Sequence, residues 1–382
     1  MRKLLNRLFL FITFALIFLL TGCSNSEENL ENYYYVMAIG IDESKDTNIN
    51  LSVQIASNTQ SSDSNEGSSQ SSSSNIYTVP CNSVDSGISI LNNYLSKKIN
   101  LSHCAAIIFS ENLAKTGIKQ YINSLGNNTE IRPTCNVIIS STTGLDALEK
   151  ISNSNENFSS KFYEFIKTSS RYTGYSINPE LSEFFYCLNF GTNSAVATYA
   201  YVSDETLQNT GIAIFDKDKF ISNLSVLDSV SYALITDRLE SATISVKNPK
   251  NPNQLIDVAI KQIKNPDIHC SLINSYPFIE IKFSLEYDIL STSHNIDTDS
   301  FSGTKLLEET INSYTQEMIL SFLYEISHKY HVDICNFKNK ILSNYLTLDE
   351  FEKIHWTEIY QDSHFKVSVT GKLVDLGMFS EE

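Results

Sequence analysis

The amino-acid sequence predicts an α/β chain of the α+β type, organised as three domains, each a central mixed sheet surrounded by helices. Three observations lead there. Apolar residues alternate with polar ones between Tyr35 and Ile55, they recur at helical spacing from Val84 to Ile99, and Ile279 to Ile289 alternate without error against Glu280 to Asp288. Both periods are interleaved along 382 residues, more than one ordinary core holds, so several layers of sheet covered by helices are expected.

The chain opens on Arg2, Lys3 and Arg7, followed by the apolar run Leu8 to Leu20 with Thr13 its only polar residue. A membrane-spanning helix needs roughly 20 apolar residues, so this run reads as the core of an export signal. It ends at Leu20-Thr21-Gly22-Cys23, the pattern of a bacterial lipoprotein signal. The small residues Thr21 and Gly22 suit a peptidase site, and cleavage is expected between Gly22 and Cys23. The Cys23 thiol is then the nucleophile that receives an S-diacylglyceryl group, with an N-acyl chain on the new terminus. One acyl chain holds a protein only marginally, and two or three make a stable anchor to the lipid bilayer.

Loss of residues 1–22 removes three positive charges from 28, leaving 25 basic against 44 acidic side chains, a net charge of −19. A field of that sign repels phosphate backbones and anionic lipid, so nucleic acid is excluded as a partner and the lipid itself must hold the chain to the membrane. The six later cysteines, Cys81, Cys104, Cys135, Cys187, Cys270 and Cys335, include no C-x-x-C pair. Buried free thiols are the expectation for them, with disulfides the alternative open to an exported chain.

The signal peptide 1–22 and a lipidated tether 23–33 precede an N-terminal domain, 34–200. There Tyr35 to Ile41 and Ile49 to Ile55 read as a β-hairpin with one buried face. Residues 57–75, with ten serines, form a flexible insertion because they lack apolar area to offset ordering entropy. A helix from about Asn82 to Ile99 is followed by a strand at His103 to Phe109. Ser110 caps a helix through Leu113, Ile118, Tyr121, Ile122 and Leu125, ending at Gly126. Thr134 to Ile139 is a strand and Thr143 to Ile151 a helix. Aromatic-rich helices are expected at Phe158 to Lys167, bearing Phe162 and Phe165, and from Pro179 to Phe190 with Asn178 as N-cap.

A middle domain, 201–252, has the strand Gly211 to Phe215, a tight turn at Asp216 to Lys219, a return to Val226, a helix at Ser229 to Leu239 and a strand at Ala242 to Val246. Pro249 and Pro252 mark a boundary or long turn. The C-terminal domain, 253–382, has the long strand Ile279 to Ile289, a helix from Thr304 to Tyr330 spanning roughly 40 Å, and a closing strand through Phe365, Val367 and Val369.

The lipobox, the strand Val36-Met37-Ala38-Ile39-Gly40-Ile41-Asp42 with its partner Leu51-Ser52-Val53-Gln54-Ile55-Ala56, the segment Gly211 to Lys219, and the block from Val332-Asp333 past Trp356 to Lys372 together resemble the Ger(x)C family of spore germination lipoproteins. The sequence departs from that pattern in having Ser24-Asn25 after the lipidated cysteine, where Trp-Asp is frequent. The resemblance implies the C subunit of a spore germinant receptor, on the outer face of the spore inner membrane. Its partners would be membrane-spanning A and B subunits, and its role assembly and signalling. No catalytic residues and no cofactor come with that likeness. The rival reading is a substrate-binding lipoprotein of a membrane transporter, which predicts two similar lobes.

No phosphate-binding glycine loop or nucleophile elbow occurs. His328 and His331 could share a metal, but without a third ligand nearby a surface pair is expected. Glu308-Glu309 and Glu27-Glu28 read as solvated charge. Trp356, the only tryptophan, is expected to anchor a core or an interface.

Overall fold

The computed structural model describes residues 30–56, 75–153, 170–191, 194–203, 207–292, 300–345 and 353–375, with isolated positions at 6, 7, 9, 166, 168, 347 and 351. Gly22, Cys23, Glu27, Glu28, the serine tract, Phe162 and Phe165 lie outside the described residues.

The first sheet begins with β1 (Tyr33–Glu43), β2 (Ile49–Ile55) and β3 (Asn75–Cys81), which pair antiparallel in sequence. α1 (Val84–Tyr94) follows, with Ser83 and Ser86 forming a reciprocal cap, and ends before Ile99, which lies in β4 (Lys98–Asn100) beside β1. β5 (Ala106–Ser110) then runs parallel to β1. Ser110 caps α2 (Glu111–Thr116) as expected, but the single helix read there is two: Gly117, at φ 117°, breaks it before α3 (Lys119–Asn127).

β6 (Asn136–Ser140) extends the parallel set, and α4 (Gly144–Asn153) crosses back over it. This second layer corrects the one-faced hairpin. Ala38, Gly40 and Asp42 are buried as well as Ile39 and Ile41, because α4 covers the other face of β1. Gly40 permits the approach, since a Cβ there would lie 3.0 Å from the Gly144 carbonyl carbon. Asp42 accepts from the amides of Gly144 and Leu145 and so closes the start of α4.

α5 (Leu181–Phe190) starts two residues later than Pro179. Pro179 and Glu180 are taken up by β6, with Val137 N donating to Pro179 O at 3.2 Å and Leu181 N to Cys135 O at 2.7 Å. β7 (Val196–Val202), β8 (Leu207–Asp216) and β9 (Lys219–Leu224) complete the order β3-β2-β1-β5-β6-β7-β8-β9, with β4 alongside β1. The expected turn between Asp216 and Lys219 is present, with Lys217 at φ 56°.

α6 (Val226–Ile235) leads to the second sheet: β10 (Ser241–Asn248), β11 (Asn251–Gln262), β12 (Asp267–Ile273) and β13 (Tyr276–Thr292). The strands read into a middle domain are therefore shared between sheets. β8 and β9 continue the first sheet by pairing with β7, and β10 opens the second by pairing with β11 across a tight turn at Pro249-Lys250.

β13 carries the error-free alternation, and its apolar face from Ile279 to Ile289 is buried under α7 (Phe301–Tyr324). That helix buries Gly303, Leu307, Ile311, Thr315, Ile319, Phe322 and Leu323, one stripe at three- and four-residue spacing. It stops short of Tyr330 and passes into a π-turn, Glu325–Lys329. α8 (Phe337–Leu342), α9 (Trp356–Ile359) and β14 (His364–Asp375) close the chain, β14 running parallel to β13. Gly371 of β14 sits against the Tyr287 ring, where a Cβ would lie 2.2 Å from it.

Candidate functional site

The two sheets meet where the end of α5 and the β8–β9 turn face the stretch from His331 to Trp356. Ser194 N donates to Asp333 O at 2.9 Å, Lys338 Nζ donates to Gly191 O at 2.7 Å, and the Ser222 and Tyr330 hydroxyls lie 3.0 Å apart. A cleft of about 350 Å³ opens on this seam, with Leu188, Asp216 and Asp218 on one wall and His331, Lys338 and Trp356 on the other.

Asp333 organises the second wall. Its Oδ1 accepts from Phe337 N at 3.1 Å, and its Oδ2 from Lys338 N at 2.7 Å and from Trp356 Nε1 at 3.2 Å. The first two donors are free amides at the start of α8, so the carboxylate closes that helix while holding the indole from 23 residues downstream. Phe337 and Ile341 are buried below, which fixes α8 to the core. Burial pushes the Asp333 carboxyl up to about 6, and these donors, with the Asn336 amide, offset only part of that cost. Tyr360, its ring tilted against Trp356 at 5.5 Å, is also buried, and burial together with the nearby Asp333 raises its hydroxyl well above the ordinary tyrosine range.

The opposite wall is tied down in the same way. Ile118 N donates to Asp218 O at 3.0 Å, and Lys119 N to Asp218 Oδ2 at 3.4 Å. Lys119 Nζ donates to Leu188 O at 3.0 Å, so Lys119 and Lys338 both serve carbonyls at the end of α5. Two lysines of the cleft wall, Lys119 and Lys338, are thus engaged in holding elements together.

Backbone strain gathers here. Seven non-glycine residues among those described have positive φ, and Lys217, His331, Asn336 and His355 lie on or beside the cleft walls. Left-handed backbone in ordinary residues persists where surrounding contacts over-determine it, and it clusters at functional positions. The arrangement can hold two sheets in a fixed relation and offer a mixed polar and apolar concavity for contact. The Asp333 carboxyl, 7% exposed and enclosed by donors, is a positioning group.

His328 and His331 both contact Ser327. His328 Nδ1 lies 2.8 Å from Ser327 Oγ within the π-turn, and His331 Nδ1, just beyond the turn, lies 3.0 Å from Ser327 O. Among the described residues, no group of three or more His, Cys, Asp or Glu could hold a metal ion. Glu308 is a structural acceptor for Leu373 N at 3.0 Å, whereas Glu309 is exposed beside Lys305. Trp356 is the buried anchor expected of it, but its partner Asp333 stood out in the sequence only as part of a longer block. The signal that could have marked it is an Asp four residues ahead of Phe337, the spacing of a side chain closing a helix start. Among the described residues no helix is long and apolar enough to cross a membrane.

Residues 26–201 match the family model described as the spore germination protein N-terminal domain, and residues 210–377 match that described as spore germination B3/GerAC like, C-terminal. Spore germination protein KC of Bacillus subtilis (strain 168) is 21% identical over 368 residues, covering 90% of this chain and 89% of that protein. The putative spore germination protein YfkR of the same organism is 20% identical over 360 residues, covering 91% of each. The crystal structure of the GerBC protein superposes with a TM-score of 0.58 at 14% identity, covering 88% of this chain and 97% of that one.

Proposed function

The chain belongs to the spore germination GerAC-like family, and from that premise we propose that it is the lipid-anchored C subunit of a nutrient germinant receptor. One observation carries the reading: the N- and C-terminal family regions occur in order over 26–201 and 210–377, nearly the whole mature chain. The chain acts without catalysis, in assembly and signalling with membrane-spanning A and B subunits, on the outer face of the spore inner membrane. The signal 1–22 is removed, and Cys23 carries the S-diacylglyceryl and N-acyl groups.

Physical chemistry supports this division of labour. A body of net charge −19 gains nothing from an anionic bilayer, so the acyl chains supply the attachment. The transporter-binding alternative expects paired similar lobes, and the described strands instead form a nine-stranded mixed sheet and a five-stranded sheet of different order.

Deletion of the gene tests the reading. Spores should lose the response to the nutrients of that receptor and still germinate with artificial triggers; an unchanged nutrient response would overturn the proposal. Cys23→Ala should leave the chain as precursor or in the aqueous fraction, and full membrane retention of that variant would contradict the anchor.

A further inference from the structure

We propose that Cys104 and Cys135 form a disulfide bond in the exported chain, cross-linking the entries to the adjacent parallel strands β5 and β6. The inference rests on the export reading given above and goes beyond it.

The two sulfurs are already in contact, 3.8 Å apart. Both residues are buried, at 2% and 1% exposure, and both are free thiols in this structure. Their placement follows from the sheet. Ala106 and Asn136 are paired neighbours, Asn136 N donates to Ala105 O at 2.9 Å, and Cys104 and Cys135 stand just before that pair. Their backbones are held as well, with Cys104 N donating to Leu101 O at 2.9 Å and Leu181 N to Cys135 O at 2.7 Å. The sulfurs must close from 3.8 Å to the roughly 2.05 Å of a bond, on backbones held side by side by the strand pairing. The remaining described cysteines are placed differently: Cys81 ends the far edge strand β3, Cys187 lies on α5, and Cys270 and Cys335 belong to the core of the other sheet.

Neither thiol has a role that requires it reduced. One donates weakly to Ala106 O at 3.4 Å and the other faces its neighbour's sulfur beside the Asn136 amide, so oxidation sacrifices only weak contacts. The chemistry is exchange with a disulfide donor, RSSR, such as the oxidised dithiol of an extracytoplasmic thiol oxidase. One cysteine thiolate attacks a donor sulfur and expels RS⁻, forming a mixed disulfide. The second cysteine thiolate then attacks the protein sulfur and expels the other RS⁻. The two cysteine protons pass to the expelled thiolates, the donor gains two electrons, and the protein loses two. Burial and the adjacent Cys104 push the Cys135 thiol well above its ordinary value, so the bond closes during folding, before the strands seal over it.

The mature chain, denatured, reduced and refolded in a mixture of oxidised and reduced glutathione, supplies the test. After quenching with an alkylating reagent, peptide mapping should find Cys104 joined to Cys135, lighter by two hydrogens and separated by reductant. Alkylated Cys104 and Cys135, or their pairing with other cysteines, would overturn the proposal. The oxidised form should also melt on the order of 10 °C above the reduced form, a gap absent from the Cys104→Ala, Cys135→Ala double variant; equal midpoints would count against a cross-link in native geometry. The same mapping on chain purified with membranes distinguishes the two premises. A bond formed in refolding but missing there overturns the oxidised state in situ and locates the fault in the export reading, not in the pairing.

Discussion

Replacing Asp333 by Asn removes the only charge on the donor cluster that ties α8 to Trp356. In the folded chain burial raises this carboxyl from 3.8 to about 6, so the native state holds its proton more tightly than the unfolded chain does. A group shifted in that direction contributes stability that is complete below the unfolded value and is lost as pH rises through the folded one. A shift of about 2 units corresponds to about 3 kcal/mol, of which about 2 kcal/mol is lost between pH 4.5 and 7.5. Asn does not titrate, so the stability of the parent minus that of Asp333→Asn should fall by about 2 kcal/mol across that interval. Urea unfolding at several pH values measures it, followed by far-UV circular dichroism. Parallel pH profiles for the two proteins would refute the argument, because they would mean the carboxyl titrates alike in the folded and unfolded chains.

Three further substitutions probe the frame around the site. Trp356→Phe removes the indole donor to Asp333 and should cost about 2 kcal/mol, while moving the pH-dependent loss to higher pH; an unmoved pH profile would argue against the Trp356–Asp333 bond. Gly371→Ala places a methyl group 2.2 Å from the buried Tyr287 ring and should lower stability by roughly 3 kcal/mol in thermal unfolding, whereas a neutral outcome would contradict that close approach. Ser83→Ala removes the acceptor for Ser86 N and should cost about 1 kcal/mol without altering the cleft, read as a shift in the urea midpoint at constant slope.

Where structure depends on nearby sequence, the sequence was legible. The alternation from Ile279 to Ile289 identified β13 and its buried face, and Ser110 marked the start of a helix because its hydroxyl accepts from Leu113 N three residues on. Boundaries moved where distant partners intervened. Pro179 and Glu180 fit a helix start by composition, but β6 binds their backbone; Gly117 looked continuous with two helices, but its φ of 117° separates them against the Asp218 turn. The second buried face of β1 needed α4, about 100 residues away, which no local period announces. The seam was least legible, because Ser194 and Asp333 meet across 139 positions and the polar contacts that join them leave no periodic trace. Trp356 is marked as an anchor by being the only tryptophan, but the carboxylate that receives its N–H is visible only in the fold.

The central claim, that this chain works as the lipid-held subunit of a membrane complex, is tested most directly by purifying it from detergent-solubilised spore membranes and identifying by mass spectrometry what accompanies it. Two integral membrane proteins should co-purify in fixed ratio with a chain whose first residue is acylated Cys23. Recovery of the chain alone, with an unmodified terminus, would contradict the account.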